Sequence, residues 1–223
     1  KYRESPWETT NRQQKYGLEF EKKEYDEIDL YCKSKNIRWF ASPWDLESVI
    51  FLKQYNMPFI KVASASVTDF ELLEEIKSMN IPVIISTGMS TKDEIDKCLE
   101  YLGKKVEYIL ACTSTYPTPD NEVNLNFITT LKREYPLYKI GFSNHYPGII
   151  YMFIAKGLGA EMLEFHGTLS RSSYGSDQAA SIEPPGVFKL CRDLNDIDLA
   201  MGTGEWTVYS SEEKIKEKLR RIK

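Results

Sequence analysis

Histidine is scarce in this sequence: His145 and His166 are the only two among 223 residues. The four cysteines (Cys32, Cys98, Cys112, Cys191) are widely separated, with no CxxC pair. That spacing points to reduced, structural thiols in a cytoplasmic setting. No apolar run approaches the roughly 18–20 residues needed to cross a bilayer, which argues against a membrane role. There is no excess of positive charge; the net charge of −4 leaves no electrostatic case for nucleic acid as the main partner. Glycine-rich loops of the GxGxxG or GxxxxGK[ST] type are missing, which weakens a nucleotide-binding reading. The opening residues, with Lys1, Arg3 and Glu4, do not form a signal peptide. A start on Lys1 rather than methionine leads us to expect a chain that begins mid-protein.

What is present is a rhythm. Hydrophobic residues make up 42% of the chain and charged ones 28%, enough for one globular domain with a sizeable core. Six short apolar runs read as strands: Ile37–Ala41, Phe59–Ala63, Val83–Ser86, Tyr108–Cys112, Lys139–Ser143 and Met162–His166. They are rich in β-branched and aromatic residues, as buried parallel strands are. Their ends fall at intervals of 22 to 31 residues, each room enough for one crossover helix. Helices are expected over Phe20–Ser34, Asp45–Gln54, Thr68–Met79, Thr91–Leu102, Pro184–Leu194 and Glu212–Arg221. Thr68 with Glu71 has the pattern of a capping box, and Asp93 and Glu94 favour the dipole of the helix they open.

Repeated βα units build either an open doubly wound sheet or a closed barrel. The helix at Phe20–Ser34 lacks a preceding strand, and a barrel of eight units runs to roughly 250 residues. The expectation is therefore a TIM (β/α)8 barrel, with the first two βα units missing from this chain and residues 1–223 forming one partial domain.

Active sites in parallel α/β folds form at the carboxyl ends of the strands. Here those ends carry Ser42, Lys61, Ser64, Ser86, Ser114, Ser143, His145 and His166. Two imidazoles on neighbouring strands suit a divalent metal, against the blander reading of a hydrogen-bonded pair. Glu164 and waters are candidates to complete such a shell. Lys61 stands inside an apolar strand, where an unpaired ammonium is costly; it serves either a structural ion pair or a bound anion. The serines around it favour the anion. Asp177, in the polar run after the last strand, is placed to meet sugar hydroxyls, while Cys112 reads as core.

The ordered set of segments is more specific than any one of them. Pro58–Ser64, Ser86–Met89, Cys112–Pro117, Gly141–His145, Glu164–His166, Gly175–Asp177 and Ala180–Pro184 together resemble the N-acetylneuraminate (sialic acid) synthase family, including the related legionaminic and pseudaminic acid synthases. The similarity extends from about Tyr2 to the last helix. It implies a TIM barrel, and an enzyme condensing phosphoenolpyruvate with N-acetylmannosamine or a related N-acetylated amino sugar. It also implies Mn²⁺ on His145 and His166, phosphoenolpyruvate on Lys61, Ser64, Ser86, Ser114 and Ser143 with Ser42 nearby, and the sugar beside Tyr116 and Asp177. A homodimer is implied in members carrying a C-terminal antifreeze-like domain, which this sequence does not show. Ser114 stands where some members have asparagine, Ser66 where many have an acidic residue, and Gln178 where relatives read histidine. Two rivals remain at this point. One is a 3-deoxy sugar-acid synthase with a phosphosugar acceptor, for which Arg171 is the candidate phosphate ligand in the eighth loop. The other is a non-catalytic ligand-binding relative or inactive fragment.

Overall fold

In the computed structural model, residues 6–7, 10–175 and 177–222 are described. Five strands form one parallel sheet: β1 (Ile60–Val62), β2 (Val83–Ser86), β3 (Val106–Cys112), β4 (Lys139–Asn144) and β5 (Leu163–Phe165). Their order in space is their order in sequence. Parallel crossovers are right-handed, so a sheet that always steps the same way puts its helices on one face. A doubly wound sheet would reverse direction partway. The sheet is thus a half-barrel.

The helices between strands are α4 (Phe70–Ser78), α5 (Lys92–Leu102), α6 (Asn126–Glu134) and α7 (Ile150–Gly157). Before β1 come α1 (Asn11–Leu18), α2 (Lys22–Ser34) and α3 (Leu46–Leu52); after β5 come α8 (Pro184–Met201) and α9 (Ser210–Leu219). Several start where a side chain can receive the free backbone N–H groups. Asp45 accepts from Ser48 N, Asp69 from Leu72 N, and Thr91 pairs reciprocally with Glu94. The cap of α4 is therefore Asp69, one residue past the Thr68 expected from sequence.

Period-two alternation sorts each strand's side chains onto two faces. One set, Ile60, Val62, Val83, Ile85, Ile109, Ala111, Ile140 and Phe142, packs against the helices. There it meets Leu72, Leu73 and Ile76 of α4, Ile95, Cys98 and Leu99 of α5, and Ile128 and Leu131 of α6. Truncating one such buried aliphatic typically costs about 2–5 kcal/mol, so this layer dominates the domain's stability. The other set faces inward. Register pairs Lys61 with Ile84, Ser86 with Leu110, Cys112 with Ser143, and Ser143 with Glu164. Ile84 and Leu110 are fully buried yet stand apart from the helix-side cluster. Deep in the barrel the inner face is thus apolar, and toward the strand ends it turns polar.

The sixth expected strand, Ile37–Ala41, is not one. A single backbone bond joins it to the sheet, Lys61 N–H to the Ala41 carbonyl at 3.1 Å. Side chains fix this segment instead. Trp39 packs on Tyr25 and Tyr55 and donates its indole N–H to Asp29, while Phe40 stacks edge-on against Phe59. Among the described residues no helix is long and apolar enough to cross a membrane.

Candidate active site

The inner face converges at the carboxyl ends of the strands. Lys61, with only 11% of its side chain exposed, lies 3.4 Å from Glu164 Oε1 across the sheet. Ser143 donates to the same carboxylate oxygen at 2.8 Å. Glu164, considered in the sequence as a metal ligand, is thus engaged with Lys61 and Ser143. The ion pair and the anion site are compatible readings of Lys61, since the carboxylate meets the ammonium at a loose distance that leaves donors of the ammonium free. Ser86 Oγ is buried and has no hydrogen-bond partner among the described residues. A desolvated hydroxyl left unpaired costs about 1–3 kcal/mol, which a ligand oxygen would recover.

Beside this anion-lined corner stand the two histidines. Their ring centroids are 5.3 Å apart, with planes inclined at 68°. Tyr116, preceding a cis proline, closes the group with its ring 4.1 Å from His145 and 5.5 Å from His166. His145 Nδ1 is held by the Thr113 carbonyl at 2.8 Å, which leaves Nε2 as its available nitrogen. His166 Nδ1 is 3.7 Å from Asp177 Oδ2. Orientation of one ring nitrogen by a carbonyl or carboxylate is how histidines are prepared for a metal. Among the described residues no third His, Cys, Asp or Glu joins them in a ligand group. The pair therefore fits a cation as two ligands out of a larger shell.

The titratable groups feel one another. Burial is the largest influence on His145 and disfavours its charge, yet Cys112, the Thr113 carbonyl and Glu164 together hold its pKa above the usual histidine range. His166 goes the other way, lowered by burial and then by His145. Burial pushes the Tyr116 phenol up to about 12, with Cys112, Asp177 and Glu164 adding to it. For Cys112, burial opposes ionisation most strongly, but contacts with His145, Ser114 and Ser64 bring its pKa below the ordinary thiol value.

The structure thus brings Lys61, Ser64, Ser86, Ser114, Ser143, Tyr116, His145, His166 and Asp177 to one end of the sheet. Ser42 is nearby, but its hydroxyl donates to the Lys61 carbonyl at 3.0 Å, so it ties the Ala41 segment to β1. Ser176 of the Gly175–Asp177 segment, like residues 1–5, lies outside the described residues. Arg171, the proposed phosphate ligand of the rival reading, is turned to main-chain carbonyls: Nε donates to Ser181 O at 2.8 Å and an NH2 to Pro147 O at 3.0 Å. Cys112 was assigned to the core from sequence. It is instead an inner-face residue that touches the site, and its place two residues before Ser114 in a period-two strand was the available signal.

A singly wound parallel half-barrel with a lysine, hydroxyls and paired imidazoles at its strand ends places the chain among barrel-type α/β proteins whose ligands bind at that rim. The particular family follows from comparison. A model described as the NeuB family matches residues 1–206, and the chain belongs to that family. The chain is 38% identical over 202 residues to the N,N'-diacetyllegionaminic acid synthase of Campylobacter jejuni, covering 88% of this chain and 60% of that protein. It is 34% identical over 197 residues to the N-acetylneuraminate-9-phosphate synthase of Drosophila melanogaster, covering 87% and 53%. Among solved structures, the N-acetylneuraminic acid (sialic acid) synthetase of Leptospira borgpetersenii in complex with citrate superposes with a TM-score of 0.81 at 33% identity, covering 92% of this chain and 73% of that one. The chain therefore spans somewhat over half the length of these curated relatives.

Proposed function

We propose that the protein to which this chain belongs condenses phosphoenolpyruvate with an open-chain N-acetylated amino sugar, N-acetylmannosamine or a diacetamido relative, giving a nonulosonic acid and phosphate. The observation that carries this reading is the inner-face corner of Lys61, Ser143 and the unpartnered Ser86 hydroxyl, set against the His145–His166 pair. In this reading C3 of phosphoenolpyruvate attacks the sugar aldehyde, water adds at C2, and phosphate leaves with C–O cleavage. Lys61, Ser64, Ser86, Ser114 and Ser143 hold the phosphate and carboxylate in register with the acceptor, so their contribution is orientation and charge complementarity. Tyr116 and Asp177 face the sugar. His145 and His166 would hold a divalent ion, Mn²⁺ by family resemblance, whose chemistry is to polarise the acceptor's carbonyl oxygen.

The same reading extends to the whole molecule as a TIM barrel closed by further βα units, acting in the cytoplasm and assembling as a homodimer. The test is the full-length protein supplied with Mn²⁺, phosphoenolpyruvate and each amino sugar in turn, following both phosphate and the sugar acid. Product with an amino sugar is the expected result. No product with any of them, together with turnover of arabinose 5-phosphate, transfers the assignment to a phosphosugar synthase.

A further inference from the structure

Cys112 closes β3 on the inner face, opposite Ser143. Its Sγ lies 3.7 Å from Ser64 Oγ, 3.6 Å from Ser114 Oγ and 3.9 Å from His145 Nδ1. Ser64 also accepts the Gly88 N–H at 3.1 Å, and the same His145 nitrogen contacts the Thr113 carbonyl. Cys112 is the one side chain that touches two of the anion-facing hydroxyls and one of the imidazoles. We propose that Cys112 is a positioning residue, whose thiol fixes the rotamers of Ser64 and Ser114 and braces the His145 ring. This rests on the functional reading above.

The alternative, that Cys112 merely fills space, is what Cys98 exemplifies: fully buried among the aliphatic residues that face the helices. Cys112 has different surroundings. A serine hydroxyl beyond a strand end has three staggered positions open to it, and a ligand that needs one of them must otherwise restrict it at the moment of binding. A thiol is a weak donor and acceptor that works at long range, so one sulfur can serve three neighbours at 3.6–3.9 Å. The space around it is tight: a Cβ built on Gly88 would fall 2.1 Å from Ser114 Oγ, 2.9 Å from Ser64 Oγ and 3.2 Å from Cys112 Sγ. Backbone and sulfur thus confine both hydroxyls from opposite sides.

The test compares Cys112→Val, of similar bulk but apolar, with Cys112→Ser, which keeps a donor and acceptor on the same Cβ. In the full-length protein, phosphoenolpyruvate binding is measured by calorimetry without added metal, KM and kcat with Mn²⁺, and folding by thermal unfolding. With hydrogen bonds of ordinary strength, Cys112→Val should raise the phosphoenolpyruvate Kd and KM about tenfold. Its kcat should change much less, and Cys112→Ser should retain most of the affinity. If Cys112→Val fails to fold, Cys112→Ala takes its place against the serine variant. A valine variant that folds and binds phosphoenolpyruvate as the wild type does, or as well as the serine variant, overturns the positioning role alone. A wild-type protein that binds no phosphoenolpyruvate overturns the functional reading, and this inference with it.

Discussion

Lys61 and the two histidines were conspicuous in the sequence because each is chemically out of place, a charge in an apolar strand and a rare imidazole at a strand end. Cys112 was not, because cysteine is at home in cores and its neighbours Ser64 and His145 are distant in sequence. The pairing of Lys61 with Glu164 was equally hidden, since it spans most of the sheet. In the full-length protein Lys61→Ala should weaken phosphoenolpyruvate binding by roughly 10–100-fold, the scale of a charge-assisted hydrogen bond, and sugar binding far less. Unchanged phosphoenolpyruvate affinity in that variant would rule out an anion role. Gly88→Ala tests the confinement of the serines. Because the added methyl collides with Ser114 Oγ, overpacking should cost about 1–3 kcal/mol, seen as a lower Tm, and phosphoenolpyruvate affinity should fall with it. A variant as stable and as tight-binding as the wild type would mean that the Ser114 hydroxyl moves aside freely.

Elements with a strong cap or a strong apolar period were readable; those without were not. The helix beginning after Thr91 was expected, and its reciprocal Thr91–Glu94 bonds explain why. By contrast α6 and α7 begin at Leu125 and Ile149, neither of which makes a side-chain cap bond, so no polar signal marks their starts. The shift from Thr68 to Asp69 at α4 shows two adjacent residues competing for one role, with the carboxylate reaching Leu72 N at 3.1 Å. Asp69→Ala should destabilise the protein by about 1 kcal/mol and Asp69→Asn by much less, measured by denaturant unfolding. Equal losses in both would assign the effect to charge rather than to the cap bond. Ile37–Ala41 failed as a strand for a related reason: β propensity describes side chains, and here the aromatic side chains found better partners in Tyr25, Tyr55 and Phe59 than the backbone found in β1.

At the scale of the molecule, β1 and β5 each have a strand neighbour on one side only. Large apolar side chains also stand exposed on the surface, with Leu169 at 90%, Phe188 at 79% and Trp206 fully so. Open parallel edges and exposed apolar surface favour association. Expressed by itself, the 223-residue chain should therefore sediment as more than a monomer; a monodisperse monomer with one cooperative unfolding transition would show that the half-barrel is self-sufficient. The βα rhythm, the buried strands and the polar character of their carboxyl ends were decided by the sequence itself, because they depend on residue type and on spacing within one unit. Which way the sheet winds, which face of each strand looks inward, and hence the meeting of Lys61 with Glu164 and of Cys112 with Ser64, Ser114 and His145, were decided only by the tertiary structure. Those contacts depend on hydrogen-bond register between strands, where a slip of one residue would turn every side chain to the opposite face.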